Sequence, residues 1–136
     1  MQLIPYLHFK GNAEEVLNFY KDALGGEILM ISRYGDSPMP VDEAMKNKII
    51  HSRLQFGNNN LVMISDSFNG DMANPGGNIQ LSLGMTDEAK ATEVFDKLSE
   101  GGKVTMPLQK QYWGDVFGML QDKFGISWMV NCEVKK

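Results

Sequence analysis

The sequence has one cysteine, Cys132, in 136 residues. A single thiol closes no intrachain disulfide and suits a reducing compartment. No stretch approaches the roughly 18 consecutive apolar residues of a membrane-spanning helix. No apolar run follows a basic start in the manner of a signal peptide. A cytoplasmic protein without a membrane partner is the expectation. Positive charge is also scarce: 13 Lys and Arg stand against 17 Asp and Glu, a net charge of −4. Without a basic stripe, nucleic acid is not an expected partner. Several catalytic signatures are missing as well, among them the nucleophile elbow, the phosphate loop, CxxC and HExxH. The Gly-Gly pairs at 25–26, 76–77 and 101–102 read as helix stops and linkers, with no dinucleotide fingerprint. No glycine-rich loop of the kind that holds an S-adenosyl cofactor follows a strand.

What is present is the composition of a globular chain, 43% hydrophobic and 22% charged. Ten methionines are many for this length, and they suit irregular cores and adaptable binding surfaces. One unit occurs twice. Asn12–Ile28 and Asp87–Val104 each open with a capping-type residue followed by acids, as helix starts prefer. Each then carries apolar residues at helical spacing: Val16, Phe19, Tyr20 and Ala23 in the first, Ala91, Val94, Phe95 and Leu98 in the second. Each ends in Gly-Gly, where a helix needs a left-handed stop. Two copies at so long a period make a duplicated module, not a solenoid.

Strands fill in around the helices. Residues 2–9 and 77–84 precede them. Glu27–Arg33, Ile49–Phe56 and Leu61–Ser67 follow the first, and Lys103–Leu108, Val116–Gln121 and Ile126–Cys132 follow the second. Gly57-Asn58-Asn59-Asn60 and Asp122-Lys123-Phe124-Gly125 mark hairpins in equivalent places. Residues 34–47 form an irregular loop with a short helical turn over Val41–Lys46, and residues 67–76 link the halves. The class is therefore α+β, with two β-α-β-β-β modules, about 1–67 and about 77–133. A half of that size buries too little to stand alone, so one domain over 1–136 is expected.

These residues carry a family resemblance. Tyr6-Leu7-His8-Phe9-Lys10-Gly11-Asn12-Ala13-Glu14-Glu15, with Phe19-Tyr20-Lys21 and Gly25-Gly26-Glu27, resembles the opening of PhnB-like proteins of the vicinal oxygen chelate superfamily. That superfamily includes glyoxalase I, extradiol dioxygenases and bleomycin-resistance proteins. The second half adds Gly101-Gly102-Lys103-Val104, Met106-Pro107-Leu108, Trp113-Gly114-Asp115, Phe117-Gly118 and Asp122 through Met129. The resemblance implies two βαβββ modules forming cupped mixed sheets around a cavity, and a homodimer. It implies no single reaction, because function varies widely on this fold.

Metal-dependent members hold their ion with His or Glu on the first and last strands of each module. Mapping by motif puts those positions at Pro5, Met63, Asn78 and Met129. The same step separates Phe56 from Met63 and Asp122 from Met129 (63 − 56 and 129 − 122). Pro offers no ligand atom, Met a soft thioether, Asn a poor donor. No metal and no other cofactor are expected.

Strand parity separates the face that packs on each helix from the face that lines the cup. Asn78, Gln80 and Ser82 alternate with Ile79, Leu81 and Leu83; His51, Arg53 and Gln55 alternate with Leu54 and Phe56. Met63 and Met129 fall on the polar side by the same argument. The candidate ligand-binding residues are thus His51, Arg53, Gln55, Met63, Asn78, Gln80, Ser82, Trp113 and Met129. The motif mapping sends Leu7 and Phe9 inward and Tyr6 and His8 toward the helix. A histidine buried against a helix is unusual, so the direction of His8 stays open. Solvated strand face or dimer contact is the plain reading of His51, Arg53 and Gln55. Packing at the rim is the plain reading of Trp113, and stacking on a ligand the sharper one. Asp66, Asp115 and Asp122 are expected to be structural. The leading functional expectation is a metal-free protein that binds a small organic molecule, anionic or oxygen-rich because Arg53 is the fixed positive charge of the set. A lyase, isomerase or oxygenase with shifted metal ligands or His51 acid–base chemistry is the alternative.

Overall fold

The computed structural model describes residues 1–38, 40–66 and 79–134. It contains eight strands and two long helices among them: β1 (Tyr6–Phe9), α1 (Ala13–Leu24), β2 (Glu27–Arg33), β3 (Ile49–Phe56), β4 (Asn60–Asp66), β5 (Leu81–Met85), α2 (Glu88–Ser99), β6 (Lys103–Lys110), β7 (Val116–Gln121) and β8 (Ser127–Cys132). Two 3-10 turns, Tyr34–Asp36 and Glu43–Met45, lie between β2 and β3. The chain divides into two compact units, Met1–Pro75 and Gly76–Lys136. Each is one βαβββ module, and the class is α+β as the sequence implies.

The first sheet runs β1-β4-β3-β2 and the second β5-β8-β7-β6. In each, the strand before the helix pairs parallel with the last strand, and the other pairings are antiparallel. The sheets are therefore mixed and carry the same order. β3 and β2 match the strand bounds read from the sequence. β1 is shorter than expected, and β6 runs two residues further, past Pro107. A proline lacks the N–H a ladder needs and is tolerated at a sheet edge, which is where β6 lies.

α2 buries the stripe that periodicity predicts, Ala91, Val94, Phe95 and Leu98; in α1 Val16, Tyr20 and Ala23 are buried as predicted, but Leu17 takes the remaining core place and Phe19 is only half-buried. The sheet side of the first core is Phe9, Leu54, Val62 and Ile64; that of the second includes Leu120, Trp128, Val130 and Cys132. Each such side chain contributes about 1.5–3 kcal/mol by leaving water. α1 stops at Gly25, which is left-handed at φ 66°. α2 ends one residue before its own pair, and Gly101 takes φ 73°. The second glycine of each pair lets the chain approach the sheet: a Cβ on Gly102 would lie 2.3 Å from the Gln121 carbonyl oxygen, and one on Gly26 2.8 Å from that of Gln55.

The helix starts differ between the modules. Asn12, the N-cap of α1, makes no side-chain capping bond. The Ala13 amide instead donates to the buried carboxylate of Asp66, at 2.9 Å, whose other oxygen accepts from the Ile49 amide at 2.9 Å. In α2 the cap is local, with Lys90 N–H donating to Asp87. The β8 position matching Asp66 is then free to be the apolar Cys132. Asp122 holds its hairpin, accepting from the amides of Phe124 and Ile126 and from the Trp128 indole. Asp66 and Asp122 are structural, as expected.

Candidate functional site

The register fixes which side chains share the face of the first sheet away from α1. Met63 of β4 lies beside Tyr6 of β1 on one side and Arg53 of β3 on the other. Ser65 lies beside His8. Leu54 pairs with Val62, and both are buried under α1. The open face is therefore Tyr6 and His8, His51 and Arg53, Met63 and Ser65. Leu7 and Phe9 share the helix side with Ile64 and Asp66. The motif mapping of β1 was off by one residue: Tyr6, not Leu7 or Phe9, stands beside Met63, and His8 points to the open face. In a period-two element a slip of one exchanges the faces. Pro5 precedes the strand, and its carbonyl accepts from the Met63 amide at 2.9 Å.

These residues form one connected cluster. The Tyr6 hydroxyl meets His51 Nδ1 at 3.0 Å. Arg53 Nε donates toward His51 Nε2 in a long contact of 3.5 Å. The Tyr6 ring stacks on the His8 imidazole, centroids 4.5 Å apart and planes 14° from parallel. His8 Nδ1 in turn is 2.9 Å from the hydroxyl of Ser65, which is buried. Arg53 is exposed and Tyr6 is 41% exposed, so the cluster presents a guanidinium and a phenol over a floor containing Met63. Gln55 shares the strand face but its amide donates to Asn59 across the β3–β4 turn at 3.0 Å, which commits it to the hairpin.

The remaining candidates belong to the second unit. Ser82 and Met129 are paired neighbours on the face away from α2, with Met119 beside Met129. Gln80 precedes β5 and is exposed. Trp113 sits in the turn after β6, 48% exposed, edge-on to Phe117 at 5.9 Å and to Tyr112 at 4.9 Å. Asn78 lies outside the described residues. The two open faces differ in kind: where the first has Tyr6, His51 and Arg53, the equivalent positions of the second are Ser82, Phe117 and Met119. Sequence reasoning missed Tyr6. The signal was available in β1, where Leu7 and Phe9 are the apolar pair and Tyr6 and His8 the pair with polar tips.

The Arg33 guanidinium, bonded to both carboxylate oxygens of Glu14 at 2.9 and 3.0 Å, holds that carboxyl below its usual range. Burial raises the Tyr34 phenol, whose hydroxyl donates to the Asp66 carbonyl, and burial likewise raises the Cys132 thiol.

Among the described residues the superfamily's metal finds no matching donor set. Among the described residues no three His, Cys, Asp or Glu stand close enough to share an ion. Each histidine has one ring nitrogen held by a hydroxyl, and the Arg53 charge faces His51. Met63 and Met129 supply only thioethers, which a zinc or iron centre does not favour.

A family model described as 3-demethylubiquinone-9 3-methyltransferase matches residues 1–131. The chain belongs to this PhnB-like family. A solved structure of protein PA1353 from Pseudomonas aeruginosa is 40% identical, with 99% of each chain covered and a TM-score of 0.87. The PhnB protein of Bacillus cereus is 30% identical, covering 99% of this chain and 100% of that one at a TM-score of 0.81. Escherichia coli YjdN is 29% identical over 96% of this chain and 95% of its own length. A member of the glyoxalase/bleomycin resistance/dioxygenase superfamily from Sphaerobacter thermophilus, 21% identical over 98% of both chains, shares the fold at a TM-score of 0.62. The family description implies an S-adenosyl methyl donor. The strand-to-helix turns of this PhnB-like chain are short, and the first has a single glycine, Gly11, whose carbonyl is occupied by the Lys48 ammonium at 2.8 Å. They do not have the glycine-rich form that cradles such a cofactor.

Proposed function

We propose that this PhnB-like protein binds a small organic acid or other oxygen-rich molecule without a metal, using the open face of its first sheet. The observation that carries the reading is the cluster of Arg53, His51 and Tyr6 beside Met63. A guanidinium offers paired N–H donors that match a carboxylate or phosphate. Apolar floor with a few convergent polar groups is the usual make-up of a small-molecule site.

The test is thermal unfolding with phosphate, acetate and benzoate as probes, with and without a chelator. A bound probe raises the melting temperature by mass action. The chelator should change nothing, and Arg53→Ala should abolish the shift while leaving the ligand-free melting temperature near wild type. A large fall in chelator would show that a metal contributes to folding and would overturn the metal-free reading.

The Tyr6–His51 contact favours a second reading, proton transfer by His51 on a bound substrate. In that case His51→Asn abolishes turnover with binding retained, whereas in the carrier reading no turnover is there to lose.

A further inference from the structure

Arg53 and Tyr6 sit on opposite sides of one imidazole, and that arrangement has a directional consequence. A guanidinium only donates. Its Nε–H points at His51 Nε2, so that nitrogen must present its lone pair; an N–H there would oppose another N–H. The imidazole proton then belongs on Nδ1, which lies 3.0 Å from the Tyr6 oxygen. With Nδ1–H donating, the phenol accepts, and its own proton is left free to point outward. The phenol cannot easily turn away, because its ring is stacked on His8 and His8 is anchored to buried Ser65.

We propose that Arg53 fixes the Nδ1–H tautomer of His51, and that His51 thereby positions Tyr6 as a second hydrogen-bond donor to the ligand. Resting on the small-acid reading above, this narrows the ligand class. Arg53 can only donate, and Tyr6, accepting from His51, has its O–H directed at the ligand, so the cluster favours oxygens that accept, such as a carboxylate, a phosphoryl group or a ketone. It discriminates against groups that bind chiefly by donating. Arg53 and Tyr6 touch the ligand; His51 acts through Tyr6.

Nitrogen-detected NMR of the two histidine rings tests the tautomer without any ligand, with His51→Asn identifying the signals. At pH 8 the wild-type His51 ring should carry its proton on Nδ1. In Arg53→Met, which keeps the aliphatic stem and removes the donors, the proton should move to Nε2. A wild-type ring protonated on Nε2, or the same state in both proteins, would overturn the proposal. Benzoate and benzylammonium, whose head group only donates, then probe selection. Benzoate should perturb the His51 signals and benzylammonium should not, and Tyr6→Phe should weaken benzoate more than about tenfold, the loss of one hydrogen bond to a charged acceptor. Unchanged benzoate affinity in Tyr6→Phe would remove Tyr6 from the site. An Nδ1–H ring in a protein that benzoate leaves untouched would overturn the acid-binding reading while the tautomer lock stood, so the two failures are distinct.

Discussion

Asp66 shows how one residue can settle a module. Its two carboxylate oxygens take the first amide of α1 and the first amide of β3, and both bonds are buried. Asp66→Ala strands two buried donors at about 1–3 kcal/mol each, so a loss of roughly 3 kcal/mol is expected in chemical denaturation. A loss within experimental error would mean Asn12 takes over the cap. Cys132 works in the opposite sense, as an apolar thiol whose pKa burial raises, with smaller effects from Glu88, Asp87 and Asp115. Its folded pKa lies above the unfolded value of about 8.5. The contribution is therefore complete below that pH and is lost as pH rises toward the folded pKa. Stability measured from pH 8 to 10 should fall more steeply in wild type than in Cys132→Ala. Parallel curves would show that Cys132 titrates alike in both states.

At the level of elements, the two helices and their stops were legible because their signals are local. The apolar stripes are set by periodicity, and Gly25 and Gly101 do take left-handed backbone. What local signals did not give is the role of the second glycine. Gly102 has no positive φ; it is needed because the Gln121 carbonyl passes where a Cβ would be. Gly102→Ala should cost about 1–3 kcal/mol through forced backbone shifts, read as a lowered urea midpoint, while the same change at exposed Gly84, where a Cβ meets nothing within 4 Å, should cost far less. Equal effects would show that the close approach relaxes freely. The site followed the same division. The polar stripe of β3 was readable as clear alternation, while the four residues of β1 carry the same signal only weakly and the parallel register with β4 decides the face.

The whole molecule repeats one fold and divides its chemistry. Charge and aromatic hydroxyl collect on the open face of the first sheet, sulfur and a phenyl ring on that of the second. Most helix-facing positions of the two modules are apolar alike because packing constrains them, whereas the faces away from the helices carry different side chains. Among the described residues no helix is long and apolar enough to cross a membrane. The family resemblance leads us to expect a symmetric homodimer. Light scattering at micromolar concentration should give about twice the 15.2 kDa of the chain, and a monomer mass would refute it.

Readable along the chain were the duplicated βαβββ modules, the stripe of α2 and most of that of α1, the strand bounds of β2, β3 and β7 and the polar face of β3. All of these rest on neighbours within a few positions, where period and turn chemistry act. It took the folded chain to bring Tyr6 to His51 and Arg53, to stack His8 on Tyr6 against Ser65, and to place Asp66 at the start of a helix 53 residues away. Those pairings bring together residues far apart in the chain, and their geometry is set by the parallel register of β1 on β4, which buries Phe9 and half-buries Leu7 on the helix side, rather than by any local preference of the strand.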